Sequence, residues 1–292
     1  MSASVAARLA GFAATLALLF GAAMAIGSVA DVTPQRAQRS TGGADAMGMA
    51  ESGHGAAQAP RGLGIADARL RLVPDTTTYR AGMTKAFRFR IVDRTGATVR
   101  DFDVEHTRRL HLIAVRRDLT GYQHVHPVQA ADGSWSVPLR FAQAGVYRVY
   151  ADFTAHGSEK TTLATDVFVG GDFQPQPLPL PAPTTRVRVD GYDVALKGTP
   201  KAGAEGDLDF TVSRDGRPVA VQPYLGADGH LVALREGDLA YLHVHPQDRN
   251  GSGGPIRFMT EYPSAGRYRL VLQFKHGNTI HTAAFTQEVG QR

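Results

Sequence analysis

HLIAVRRDLTGYQHVHP at residues 111–127 returns as HLVALREGDLAYLHVHP at residues 230–246, without a gap and with nine identities in 17 positions. The flanks repeat as well. VDRTGATV (92–99) matches VSRDGRPV (212–219), and AGVYRVYADF (144–153) matches AGRYRLVLQF (265–274). A period of about 120 residues is a duplicated domain, because solenoid repeats run about 20–50 residues. Within each copy apolar residues recur every second position. Phe87, Phe89 and Ile91 alternate with Arg88 and Arg90, and Leu208, Phe210 and Val212 repeat the pattern. Tyr147, Val149, Ala151 and Phe153 form another such face, mirrored by Tyr268, Leu270, Leu272 and Phe274. Thr95-Gly96, Asp132-Gly133 and Asp215-Gly216 punctuate the runs as turns. Period-two alternation broken by such turns predicts half-buried antiparallel strands. About seven strands in about 100 residues predict an immunoglobulin-like β-sandwich. The expectation is an all-β chain of two tandem sandwiches.

The repeat sets the boundaries. Copy 1 is read as 64–172 and copy 2 as 184–292, joined by FQPQPLPLPAP (173–183). Alternating prolines there fix φ and remove donors, which predicts an extended polyproline II spacer. Residues 31–63 are rich in Gly, Ala, Ser and Gln and read as a flexible tether. Met47, Met49 and His54 lie in that tether and are read as a chance Met/His grouping. Leu9 to Ala30 is a run of 22 uncharged residues behind Arg8. It exceeds the usual secretory core of about 7–15 residues and suits a membrane anchor of about 20. Small-residue sites at Ala23–Ala25 and Ser28–Ala30 keep a cleaved signal open. Either way 1–30 predicts export, with the bulk of the chain outside the cytoplasm.

Composition narrows the chemistry. The 292 residues contain no cysteine, so disulfides, thiolate metal sites and a cysteine nucleophile are excluded. Net charge is only +5, from 32 basic and 27 acidic residues, with no basic run interleaved with aromatics. Nucleic acid is therefore not an expected partner. No GxSxG, Walker, GxGxxG or HExxH pattern occurs, and no enzyme activity is predicted.

The histidines remain. His111, His124 and His126 recur as His230, His243 and His245, each 119 residues on. His156 and His276 form a looser fourth pair, 120 apart. In a strand, residues two apart share a face about 6.5–7 Å apart, so His124 and His126 stand together with Tyr122. Val125 and Val244 point to the opposite, core face, and Pro127 and Pro246 end the strands. Both triads are candidate ligands for Cu(II) or Zn(II), ions suited to imidazole. Asp103, Glu105 and Asp152 are candidates to orient the rings in copy 1, where the extra His106 also lies. Copy 2 has Gln273 in place of Asp152, which makes copy 1 the better metal candidate. The competing reading is structural: half-exposed imidazoles bonded to loop backbone, copied by duplication. A cupin is rejected, because Gln129 and Ala130, and Arg249 and Asn250, stand where its glutamate belongs.

Leu110–Pro127, Asp132–Trp135 and Ala144–Phe153 carry the pattern LHLIxVxxDLxxYQHVHP, DGxW and AGxYRVxADF. In this the chain resembles a bacterial extracytoplasmic repeat family akin to YtkA-like and CopC-like β-sandwiches. Copy 2 departs from it, with REGDLAYLHVHP and no DGxW. The resemblance implies copper or heavy-metal handling, a membrane-anchored or secreted location, and a metal-delivery partner. The expected role is binding or delivery; the alternative is a cell-surface interaction module whose histidines are structural.

Overall fold

The computed structural model describes residues 61–67, 69–176, 182–242, 244–247 and 254–291. The expected anchor or signal 1–30, the tether up to residue 60 and the middle of the proline spacer lie outside the described residues. So do His243, Arg249, Asn250 and the side chain of His245.

Every described element is a strand. Copy 1 runs β1 (Leu70–Pro74), β2 (Thr78–Arg80), β3 (Thr84–Asp93), β4 (Leu110–Arg116) and β5 (Gln123–Val125). It continues through β6 (Val128–Gln129), β7 (Trp135–Arg140), β8 (Gly145–Phe153) and β9 (Thr161–Gly170). Copy 2 runs β10 (Arg186–Val189), β11 (Tyr192–Lys197), β12 (Glu205–Arg214), β13 (Arg217–Pro218) and β14 (His230–Arg235). It ends with β15 (Tyr241–Leu242), β16 (Val244–Pro246), β17 (Ile256–Glu261), β18 (Gly266–His276) and β19 (Thr279–Val289). These exceed the seven strands expected per copy, because short edge pieces switch sheets: β2 pairs in parallel with β9, and β10 precedes β11.

Copy 1 stacks the sheet β1-β3-β7-β6 on β2-β9-β8-β4-β5. Copy 2 stacks β10-β11-β12-β17-β16 on β15-β14-β18-β19. Both are immunoglobulin-like sandwiches, and both carry that fold's tyrosine corner. Tyr147 Oη donates to the Gln143 carbonyl at 3.0 Å, and Tyr268 Oη to Ser264 O at 3.0 Å. The alternation read from sequence builds each core. Phe87, Phe89, Leu112, Trp135 and Val149 pack inside copy 1; Phe210, Phe258, Leu270, Phe274 and Phe285 pack inside copy 2.

The two copies match with compensating shifts that the gapless alignment hides. Asp118-Leu119 and Asp238-Leu239 form the same corner, with Leu119 at φ 63° and Leu239 at φ 62°. Arg116 Nε and Arg235 Nε each donate to that corner's aspartate, at 2.9 and 3.0 Å. Gly237 is thus an extra residue before the corner in copy 2, and Gly121 one after it in copy 1.

A third apolar cluster joins the copies, whose described residues belong to one compact unit. Ile113, Val115, Leu119, Tyr150 and Ala164 of copy 1 pack on Val232, Leu234, Leu239 and Tyr241 of copy 2. Tyr150 Oη donates across the seam to Leu239 O at 2.6 Å. Each large aliphatic side chain fully buried contributes about 1.5–3 kcal/mol, so the seam itself holds the copies together. The chain ahead of copy 1 is woven into it. Gly62 N donates to Thr162 O at 3.2 Å in copy 1, and Tyr241 N of copy 2 donates to Arg61 O at 2.9 Å.

Candidate metal centre

β4 is buried along its whole length, so its two faces serve two cores. Leu110, Leu112 and Ala114 enter copy 1's interior, while Ile113 and Val115 enter the seam. His111 shares the parity of Ile113 and Val115, so it heads the seam face, only 3% exposed. β14 repeats the arrangement, with His230 at the parity of Val232 and Leu234. β5 brings His124 opposite Ile113, on the same face as His111. Val125 turns inward against copy 1's core, as its parity required.

The result is one cluster fed by both copies. His111, His124 and His230 each offer a nitrogen, all within 4.8 Å of one another. Ring centres lie 5.4 Å apart for His111–His124, 5.4 Å for His111–His230 and 4.4 Å for His124–His230. His126 joins at 5.0 Å from His111 and 4.9 Å from His124. Imidazoles around a tetrahedral ion with bonds of 2.0–2.1 Å have ring centres roughly 5 Å apart. His111, His124 and His230 have about that spacing, and His126 has it to His111 and His124.

The hydrogen bonds fix which nitrogens carry protons. His111 Nε2 faces the Glu105 carbonyl at 3.2 Å, an acceptor only, so Nε2 is the N–H and Nδ1 holds the lone pair. His124 Nδ1 faces Gln273 Oε1 at 2.8 Å, so there Nε2 holds the lone pair. Gln273 Nε2 in turn contacts Thr282 Oγ1 at 3.4 Å. The two lone pairs, His111 Nδ1 and His124 Nε2, face each other at 3.1 Å. Ligands on one tetrahedral zinc lie about 3.4 Å apart, close to this gap, which one N–H between the rings would also fill. A second ring proton, which would make any of these rings an imidazolium, is disfavoured. Burial, then the neighbouring His124, pushes His111 down to about 3, and burial pushes His124 down against the pull of Gln273. Burial and the adjacent His124 and His111 take His126 to about 3, and burial holds His230 well below its ordinary value. All four rings are neutral at pH 7, as ligands must be. Two further nitrogens, His126 Nε2 and His230 Nδ1, are buried without a hydrogen-bond partner.

The expected orienting carboxylates are used elsewhere. Lys160 Nζ bridges Glu105 Oε2 at 2.7 Å and Asp152 Oδ2 at 3.3 Å, and Asp103 takes His156 at 2.9 Å. Glu105 acts on His111 through its backbone instead. Gln273, which by sequence weakens copy 2 as a site, contacts a ring of copy 1. His230 stands with His111 and His124 of copy 1, while His243 and the side chain of His245, its expected partners, lie outside the described residues. Val244–Pro246 pairs with β17, in the sheet opposite β14. His156 is exposed on Asp103, and His276 bonds Tyr192 Oη at 2.7 Å; neither ring contacts the cluster among the described contacts. One sequence signal for the seam existed. HLIAVR and HLVALR lack alternation, which marks strands buried on both faces.

No curated protein sequence matches the chain. Among solved structures it is similar to the Escherichia coli adhesin FdeC, at 16% identity over 77% of this chain and 67% of that one, with a TM-score of 0.25. The Yersinia pseudotuberculosis adhesin InvE matches at 11% identity over 75% of this chain and 59% of that one, TM-score 0.22. The surface-layer protein SbsC, domains 4–9, matches at 12% identity over 76% and 31%, TM-score 0.23. The chain spans less than two thirds of the InvE and SbsC chains. At this level of superposition none of these bears on what the chain does. Residues 67–170 and 187–291 each match the sequence model of a domain of unknown function, DUF8832.

Proposed function

The chain belongs to the DUF8832 family, and we propose that it binds one divalent transition-metal ion, copper or zinc, between its two sandwiches. The single observation that carries this is the convergence of one ring nitrogen each from His111, His124 and His230, all within 4.8 Å of one another. His230 supplies the third ligand from copy 2, and His126 stands beside them with a partnerless Nε2. The role is binding or delivery to a partner protein outside the cytoplasm. The uncharged run Leu9–Ala30 supports export, anchored or cleaved, and the resemblance to YtkA-like and CopC-like sandwiches supports copper.

A second reading is a cell-surface module whose histidines only brace the seam. The nine-residue apolar seam favours it, since that seam needs no ion to hold. It requires the Gln273 amide turned round, so that His124 Nε2–H donates to His111 Nδ1 in a closed chain of hydrogen bonds. Calorimetric titration of the chain with Cu(II) and Zn(II) separates the two. Binding lost in the His124→Ala, His126→Ala double variant supports the metal. No heat beyond dilution, with a lowered melting temperature in the variant, supports the brace.

A further inference from the structure

The five rings in contact at the seam include His106, which neither triad contains. It sits on a two-residue turn, with Glu105 N donating to Arg108 O at 2.8 Å and Arg108 N to Glu105 O at 2.9 Å. Both central residues are left-handed, His106 at φ 47° and Thr107 at φ 66°. Copy 2 keeps the same turn with Leu225 at φ 55° and Gly226 at φ 83°, closed by Tyr224 and Ala227. Glycine is the ordinary occupant of such a position, and a β-branched threonine there is an outlier. Copy 1 therefore holds under greater strain a turn whose second position is glycine in copy 2. The two turns abut: a Cβ added to Gly226 would lie 3.7 Å from Thr107 Cγ2. Copy 2 thus braces the strained turn of copy 1, as such strain requires.

The turn touches the metal centre twice. Its Glu105 carbonyl fixes the His111 tautomer, and its His106 ring stands edge-on, 6.2 Å from both His111 and His230. That spacing is too wide for a ligand sharing the ion with the other rings, whose centres would lie roughly 5 Å apart. It is the spacing of a ring one small movement away. His106 is half exposed where His111 is buried, so it stands nearer to solvent.

We infer that His106 is a transfer ligand: it takes the ion from solution, passes it to His111 and His230, and recovers it on release. This rests on the metal-binding reading above. The imidazole exchanges one nitrogen–metal bond for another, with no change of oxidation state, and relaxation of the Glu105–Arg108 turn supplies the movement.

The test is stopped-flow binding of Cu(II) to the full chain, with removal by EDTA, in wild type and in His106→Asn. Asparagine tolerates the left-handed turn and removes the imidazole. The expected result is loading and removal each slowed about tenfold, with Kd nearly unchanged, since a transfer ligand alters both rates together. Unchanged rates in His106→Asn overturn the inference while leaving the metal site standing. A raised Kd with unaltered loading also overturns it, making His106 an equilibrium ligand. Thr107→Gly checks the strain independently: with the turn already relaxed the movement loses its drive, so removal should slow at least about threefold, and faster or equal removal counts against it. A wild-type chain that binds no Cu(II) overturns both this inference and the reading beneath it.

Discussion

Gln273 decides the protonation of His124, and through it the character of the cluster. Its Oε1 holds the Nδ1 proton and turns the Nε2 lone pair toward His111. Residues that orient metal-bound histidines typically contribute 10–100-fold in affinity. Gln273→Leu should therefore weaken Cu(II) or Zn(II) binding by about 10–100-fold with the fold retained, read by chelator competition. Unaltered affinity would place the proton of His124 elsewhere. The same residues make stability depend on pH. His111 and His126 have folded values near 3, against 6.5 for the unfolded chain. Between those values the unfolded chain binds protons that the folded chain refuses. Stability is therefore full above about pH 6.5 and falls as pH drops toward 3, by up to about 1.4 kcal/mol per pH unit for the buried His111 and by less for the more open His126. Urea midpoints of the metal-free chain at pH 7.5 and 5.5 should differ in that direction. Equal midpoints would mean the rings are not held neutral by burial.

At the scale of elements, the strands were legible because residues such as Phe87, Phe89 and Ile91 alternate with arginines, and a half-buried strand must alternate. The turn at Asp215-Gly216 was legible for a similar reason, and both residues have positive φ, at 50° and 74°. Parity placed His111 with Ile113 and Val115 but left open which core they enter. One strand cannot show whether its second buried face meets its own domain or another. For that reason the two triads read as separate, and the pairing of Gln273 with His124 could not be foreseen: those residues lie 149 apart in sequence. The duplicated tyrosine corners offer a test of equivalence between the copies. Tyr147→Phe and Tyr268→Phe each remove one hydrogen bond to a corner carbonyl, and each should cost about 0.5–1.5 kcal/mol in urea unfolding. A negligible cost in one copy alone would show that its corner does not staple its sheets.

At the scale of the molecule, the seam makes one protein of two repeats. Arg61 and Gly62 thread it, Tyr150 bonds across it and nine apolar residues fill it. Val232→Asp places an unpaired carboxylate there, a change of several kcal/mol. Scanning calorimetry should then resolve two transitions where wild type shows one, and metal binding should fail with them, because His230 leaves with copy 2. A single transition with intact binding would mean the copies do not depend on this contact. The central claim is that both copies build one site. Native mass spectrometry of the full chain with Zn(II) tests it most directly, in wild type and in His230→Ala. The account predicts one ion per chain, lost in His230→Ala as fully as in His124→Ala. Two ions per chain, with one kept by His230→Ala, would contradict it and return a separate site to each copy.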